Sequence, residues 1–223
     1  MNKALTRIKD PASALTHFSA LIFILLFTIP LLTKSLTNPG YDHFFAVLIF
    51  IIGIILLYTA STVYHTFDIS ETINQRLRKF DHMAIFLLIA GTYTPICLIA
   101  LRNTIGPLLM LIVWSIAIIG IIITAFWVNG PKWISSVIYI VMGWVCVLAF
   151  VPLIDSLELS AFIWLFTGGI IYTIGGVIYA LKLKILNKRF PHFGSHEIFH
   201  VFVMLGSLCH FILIYKYISV MPI

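Results

Sequence analysis

The stretch 44-FFAVLIFIIGIILLYTASTVYH-65 contains no Asp, Glu, Lys or Arg. As an α-helix it would rise about 33 Å, enough to cross the roughly 30 Å hydrocarbon core of a bilayer. Two polar side chains, Ser61 and His65, stand one helical turn apart on the same face near its end. The stretch therefore predicts a transmembrane helix that carries polar groups at one membrane surface.

Six further apolar stretches of similar length occupy most of the chain. The sequence is 61% hydrophobic and 10% charged, whereas ordinary globular domains are about 25% charged. The apolar runs are continuous, unlike the alternating strands of a membrane β-barrel. We therefore predict an all-α polytopic membrane protein with seven transmembrane helices near Ala12–Leu32, Phe44–His65, Phe80–Leu101, Ile105–Val128, Trp133–Ile154, Ala161–Lys182 and His196–Tyr217.

The first apolar stretch follows several basic residues, as the apolar part of a signal peptide does. It is longer than the usual ~7–15 residues of such a region, and no A-x-A-like cleavage site ends it. It is therefore interpreted as the first membrane span. The seven spans leave only short loops, so a single transmembrane domain over residues 1–223 is expected.

Lysine and arginine are distributed unevenly between the two sides of such a bundle. If the N-terminus is cytoplasmic, eleven of them lie on the cytoplasmic side and three on the outer side. This asymmetry predicts a cytoplasmic N-terminus in a multi-pass protein of the cell membrane. Contacts with anionic lipids account for the net charge of +6, so membrane lipids are the expected partners and no nucleic acid is required. The cytoplasmic set is Lys3, Arg7, Lys9, Arg76, Arg78, Lys79, Lys132, Lys182, Lys184, Lys188 and Arg189, and the outer set is Lys34, Arg102 and Lys216.

With this orientation, three segments that are remote in sequence bring polar groups to one membrane depth. The second span ends at the cytoplasmic surface, and the third and seventh spans begin there. Ionisable groups inside spans are costly, so their convergence favours a joint site over independent contacts with the interface. The groups are Ser61, His65, Asp81, His82, His196 and His200.

A metal site is the simplest use of these side chains. Neutral imidazoles suit zinc, and histidines at pH 7 are mostly unprotonated. We therefore expect Zn²⁺ to be held by His65, His196 and His200. Asp81 is expected to hydrogen-bond a metal-bound water rather than the metal itself, and Ser61 to make a supporting hydrogen bond beside His65.

These residues carry a resemblance to a known family. The S-x3-H motif that ends at His65, the D-H pair that begins at Asp81 and the H-x3-H motif that begins at His196 resemble the signature of the progestin and adipoQ receptor superfamily. The chain most resembles its bacterial haemolysin III-like members, also in "DPASALTHFSA", "AGTYTP" and "HEIFHVFVMLG". The resemblance implies seven helices, a cytoplasmic N-terminus and a zinc ion on the three histidines, with Asp81 bound through water.

The string 196-HEIFH-200 also fits H-E-x-x-H, the zinc-binding motif of metalloproteases. Such proteases usually take their third ligand from further along the chain. Here only His210 follows, ten residues along the same helix and roughly 15 Å away. A third ligand from upstream fits His65 and disfavours a protease. Glu197 is then expected to face the cytoplasmic interface or to hydrogen-bond locally.

Hydrolysis of a lipid is the leading hypothesis for such a site beside the headgroups. Zinc lowers the pKa of a bound water to about 7, and Asp81 could take its proton and return it to the leaving group. With an acyl chain among the apolar spans, we expect cleavage of a lipid amide or ester bond, like the ceramidase-type activity that the resemblance implies. Two alternatives stay open: a cytolytic pore of haemolysin III type, and a sensor or regulator of membrane lipid state that zinc stabilises.

Several other polar residues have no assigned role. His82 follows Asp81 about 100° around the helix, so the two are not expected to serve one metal. Ser13 and His17, at the start of the first span, could line the same cavity. His43 is expected to be solvated on the outer side.

Overall fold

The structure is a computed structural model that describes residues 8–37, 40–181 and 193–222. The basic residues of 1–7 and 182–192, which support the predicted orientation, lie outside this described part. Within it there is no β-strand, and seven helical segments are long and apolar enough to cross a membrane, which confirms the all-α prediction. The helices are α1 (Pro11–Thr37), α2 (Tyr41–Thr66), α3 (Glu71–Pro95), α4 (Gly106–Phe126), α5 (Lys132–Trp144), α6 (Phe150–Ser156), α7 (Leu159–Leu181) and α8 (Ser195–Lys216).

The fifth span is interrupted rather than continuous. Helix α5 ends at Trp144, a 3₁₀ segment covers Val145–Ala149, and α6 follows. The Tyr93 hydroxyl donates to the carbonyl of Gly143 at 2.6 Å and accepts from the N–H of Cys146 at 2.9 Å. Because the phenol engages backbone groups that would otherwise pair along the helix, it accounts for the interruption.

Helix α3 begins nine residues before the predicted third span, at Glu71. Ser70 caps it, since the serine hydroxyl accepts from the N–H of Ile73 at 3.3 Å. The added turns are polar and therefore do not register as an apolar run. At the other end, Pro95 is followed by a π-helical segment, Ile96–Ala100, as expected where proline removes a backbone donor.

Small residues allow the helices to approach closely. Helix α2 packs between α1 and α3, and α7 packs along α8. A Cβ added at Gly53 would lie 2.7 Å from the backbone oxygen of Leu87, and one at Gly175 would lie 2.6 Å from Cβ of Phe202. These two helix pairs thus pack closely at glycine, while large apolar side chains such as Phe126 (87% exposed) face outward.

The start of α1, with the residue before it, contacts the ends of two other helices. The N–H of Asp10 donates to the carbonyl of His65 at 2.8 Å, which ties the start of α1 to the end of α2. The Ser13 hydroxyl donates to Oε1 of Glu197 at 2.6 Å, which ties α1 to the start of α8. These helix ends meet on one side of the bundle, which we call the histidine end.

Candidate metal centre

Three histidines converge at the histidine end. One ring nitrogen from each of His65, His196 and His200 lies within 4.8 Å of the other two, with no other side chain of the described residues in the same group. The Nε2 atoms of His65 and His196 are 3.1 Å apart. Two nitrogens on a tetrahedral zinc ion, each 2.0–2.1 Å from it, would be about 3.3 Å apart. The trio chosen from sequence therefore lies together in an arrangement that could hold a metal ion.

Two helices position this cluster. His65 lies in the last turn of α2 and is 2% exposed, whereas the other two project from the first turns of α8. Because His196 and His200 are four residues apart, they share one face of α8. The backbone bond from Asp10 to His65 holds the end of α2 against the start of α1, and thereby beside α8.

Asp10 fixes the orientation of one imidazole. Nδ1 of His65 donates to Oδ2 of Asp10 at 2.9 Å, which leaves Nε2 as the nitrogen that faces His196. A carboxylate on the far nitrogen of a metal-binding histidine sets its tautomer and raises its basicity. Asp10 was not predicted as a site residue, although it opens the string DPASALTHFSA that contributes to the resemblance. Its Asp-Pro pair before a helix is also typical of an ordinary helix start.

His200 is held from the side of α1. Its Nδ1 lies 3.3 Å from the Thr16 hydroxyl oxygen, and that hydroxyl donates to the carbonyl of Ser13 at 2.8 Å. The His200 ring therefore donates through Nδ1 and keeps Nε2 as an acceptor. Its face stacks on His17, with ring centroids 3.7 Å apart and planes 9° from parallel. Thr16 was not predicted as a site residue. His17, named from sequence as a possible lining residue of the same cavity, packs against His200 of the cluster.

Asp81 and Ser61 lie beside the trio rather than within it. Both are buried, with Asp81 6% exposed and Ser61 fully enclosed. The Ser61 hydroxyl faces the Asp81 carboxylate without completing a hydrogen bond of normal geometry. His82 is turned toward its own helix, where its Nδ1 donates to the carbonyl of Arg78 at 2.9 Å.

Glu197 is engaged locally. Its Oε2 accepts from the N–H of Gly194 at 2.8 Å, and its Oε1 accepts from Ser13. The carboxylate thus caps the start of α8 and joins it to α1.

One expectation is wrong: His43 is fully buried rather than solvated, and its Nε2 bonds the carbonyl of Met221 at 2.9 Å.

A cavity of about 410 Å³ leads from the histidine end into the bundle. Side chains of α3, α5, α7 and α8 form most of its wall, and Asp81, His17, His196 and His200 line its polar end. The remaining wall is mainly aliphatic and aromatic, and it reaches Leu153 near the opposite side of the bundle. The cavity can therefore hold a long apolar molecule with one end at the cluster.

Known proteins resemble the chain over nearly its whole length. The family model described as "Haemolysin-III related" matches residues 5–211. A "Hemolysin-3 homolog" of Bacillus subtilis (strain 168) is 35% identical over 221 residues, which are 96% of each chain. The "Hemolysin-3" of Bacillus cereus is 33% identical over 210 residues, covering 94% of this chain and 92% of its own.

A more distant similarity extends to a eukaryotic protein. The "ADIPOR-like receptor IZH2" of Saccharomyces cerevisiae (strain ATCC 204508 / S288c) is 35% identical over 80 residues, which are 34% of this chain and 24% of its own. This match covers too little of either chain to carry an activity across. With seven apolar spans and two full-length bacterial relatives, the chain belongs to the haemolysin-III related family of multi-pass membrane proteins.

Proposed function

We propose that this protein is a zinc-dependent hydrolase that cleaves an amide or ester bond of a membrane lipid at the cytoplasmic leaflet. One observation carries the proposal: a single cavity combines a histidine cluster and a buried carboxylate at one end with apolar walls along the rest. Such a cavity can bind a lipid chain and present the bond beside its headgroup to the polar end. The cytoplasmic side is inferred from the uneven distribution of basic residues.

The donor set suits zinc. Two of the three imidazoles, His65 and His200, make a contact through Nδ1 that leaves Nε2 available to a metal. Three neutral imidazoles leave one position of a tetrahedral site open, as catalytic zinc sites require. When bound, zinc would polarise a substrate carbonyl and activate a water molecule at neutral pH.

Asp81 would move the proton. During hydrolysis the water oxygen bonds to the carbonyl carbon, and the bond from that carbon to nitrogen or oxygen breaks. In this proposal Asp81 takes a proton from the water and returns it to the leaving nitrogen or oxygen. Its burial at the polar end of the cavity keeps bulk water away from this transfer, and Ser61 beside it would orient the carboxylate.

The length of the cavity suits a lipid chain. Along α3 and the start of the π-helical segment after it, the wall extends from Asp81 to Ile96, which is fifteen residues further on, a rise of about 22 Å. This is longer than one half of the roughly 30 Å hydrocarbon core. A chain that enters from the polar end could therefore lie within the bundle rather than among bulk lipids.

A cytolytic pore, which the names of the Bacillus relatives suggest, is the weaker candidate. Ion pathways need polar or charged groups along their length. The cavity wall beyond the histidine end is mainly apolar, so it favours a lipid over hydrated ions. A sensor with structural zinc would bind the metal and lipid without turnover, so a measurement of lipid turnover distinguishes it from a hydrolase.

The test measures zinc content and lipid turnover on the same preparations. Elemental mass spectrometry of detergent-purified protein should find about one zinc per wild-type chain and little in His65→Ala or His200→Ala. His43→Ala, which alters a buried histidine outside the cluster, should keep its zinc. Equal zinc in all four proteins contradicts the site. Zinc without release of fatty acid from any labelled amide or ester lipid contradicts the hydrolase and favours the sensor.

A further inference from the structure

The cavity contains a histidine that the metal centre does not use. His210 lies on α8, ten residues beyond His200 and therefore about 15 Å further into the bundle. It is 6% exposed and lines the cavity wall. Its Nδ1 is enclosed by the protein and has no hydrogen-bond partner among the described residues, and Nε2, the nitrogen that a molecule in the cavity can reach, makes no hydrogen bond to them either. Because an imidazole without hydrogen bonds in an apolar environment is unfavourable, a bound molecule with a polar group at Nε2 is a natural source of a partner.

Several other polar side chains of the cavity already make hydrogen bonds within the protein. Their hydroxyl, phenol and indole groups therefore have at least one partner without a ligand. His210 differs from them because neither of its ring nitrogens has a partner among the described residues. The pairs are Thr92 with the Leu88 carbonyl at 2.8 Å, Trp144 with Thr173 at 2.8 Å, and Tyr172 with Ser207 at 2.8 Å.

The position of the His210 ring is fixed by α7. The ring stacks on Tyr172, with centroids 5.3 Å apart and planes 28° from parallel. A Cβ added at Gly168 would lie 2.7 Å from Nε2 of His210, so only glycine at this position leaves room for the ring. The imidazole is therefore held in one place against the cavity, as a binding group must be to select a ligand.

We propose that His210 hydrogen-bonds a hydroxyl group carried part-way along the ligand's hydrocarbon chain, so that the cavity prefers hydroxylated acyl or alkyl chains. A neutral imidazole donates through one nitrogen and accepts through the other, and a hydroxyl group can do both. With the bond beside the headgroup at the histidine cluster, the hydroxyl lies about 15 Å along the chain. This inference rests on the proposed function for the lipid occupant, but it does not require hydrolysis.

The test is direct binding to protein reconstituted in nanodiscs, by displacement of a fluorescent fatty acid. The probes are stearate, 12-hydroxystearate and 2-hydroxystearate. In extended 12-hydroxystearate, the distance from the carboxylate to the hydroxyl is about the distance from the histidine cluster to His210. Wild type should bind 12-hydroxystearate about fivefold more tightly than stearate, the effect of one hydrogen bond. His210→Phe should reduce this ratio to about one, and His210→Gln, which keeps a donor and an acceptor, should retain part of it.

Two controls make the result specific. Cys209→Ala changes the adjacent residue on α8, which is buried but does not line the cavity, and it should keep the full preference. The hydroxyl of 2-hydroxystearate lies next to the carboxylate, so any preference for this probe over stearate should be the same in wild type and in His210→Gln. This comparison tests the inference even if His210→Phe does not fold.

The outcomes separate this inference from the proposed function. Equal affinity of wild type for stearate and 12-hydroxystearate overturns the inference alone, and is the result expected if His210 holds only a water molecule. A preference that survives His210→Phe also overturns it. Binding of neither fatty acid overturns both the lipid occupant and the subsite. A His210-dependent preference in a protein without hydrolytic activity supports the subsite and contradicts only the hydrolase.

Discussion

Nδ1 of His65 donates to the Asp10 carboxylate at 2.9 Å, although the two residues are 55 positions apart in sequence. The carboxylate lies just before the first span, and the imidazole lies in the last turn of the second. Their contact leaves Nε2 of His65 directed at His196, 3.1 Å away. A residue outside the predicted site therefore decides which nitrogen of His65 is available to a metal.

Asp10→Ala is expected to weaken zinc binding about 10- to 100-fold without abolishing it, since the three histidines are retained. The dissociation constant is measured by competition with a chelator in detergent. Asp42→Ala is the matched control, because that carboxylate pairs with Arg102 at 2.9 Å on the other side of the bundle. Wild-type zinc affinity in Asp10→Ala would show that the contact does not orient a metal ligand.

Asp81→Asn is expected to keep its zinc and to lose turnover by a factor of roughly 10²–10⁴, the usual contribution of proton transfer by a positioned side chain. The amide keeps the shape of the carboxylate but cannot accept the proton. Zinc content and the rate of fatty-acid release are measured on one preparation. Loss of zinc would instead identify Asp81 as a direct ligand, and unchanged turnover would remove its proposed role.

Glu197→Gln tests the protease interpretation of the H-E-x-x-H string. In a metalloprotease this glutamate is the general base, so the glutamine variant of such an enzyme is expected to be inactive. Here the carboxylate caps α8 and bonds Ser13, so we expect a stability loss of about 1 kcal/mol and nearly unchanged turnover per folded molecule. Thermal unfolding and lipid hydrolysis report the two effects. A loss of turnover as large as in Asp81→Asn, with zinc retained, would identify Glu197 as the base.

Much of the fold was predictable because hydropathy reports directly on burial in lipid. Where other forces decide, the prediction differed from the structure. The polar first turns of α3 carry no apolar signal, and the interruption after Trp144 depends on the Tyr93 hydroxyl from another helix. Neither feature can be read from the local sequence of its own segment.

The candidate site was likewise predictable from local sequence only in part. His196 and His200 share a face by spacing alone, and the charge asymmetry puts His65 at the same depth. The contacts from Asp10 and Thr16 depend instead on how α1 packs against the other helices, which no local pattern encodes. The burial of His43 was missed for the same reason, since its partner is the carbonyl of Met221 near the far end of the chain.

The close approach of α2 to α3 makes a prediction that is independent of the site. At Gly53 an added Cβ would lie 2.7 Å from the backbone oxygen of Leu87, which cannot rotate away. Gly53→Ala should therefore destabilise the bundle by about 1–3 kcal/mol, the usual cost of overpacking.

Gly169→Ala is the matched control, because nothing lies within 4 Å of the added Cβ. Alanine is also the better helix former by about 1 kcal/mol, so this variant should be as stable as wild type or slightly more so. Thermal unfolding in one detergent ranks the three proteins. If Gly53→Ala unfolds at or above the temperature of Gly169→Ala, then α2 and α3 do not touch at this glycine, and the placement of His65 relative to Asp81 across that contact loses its support.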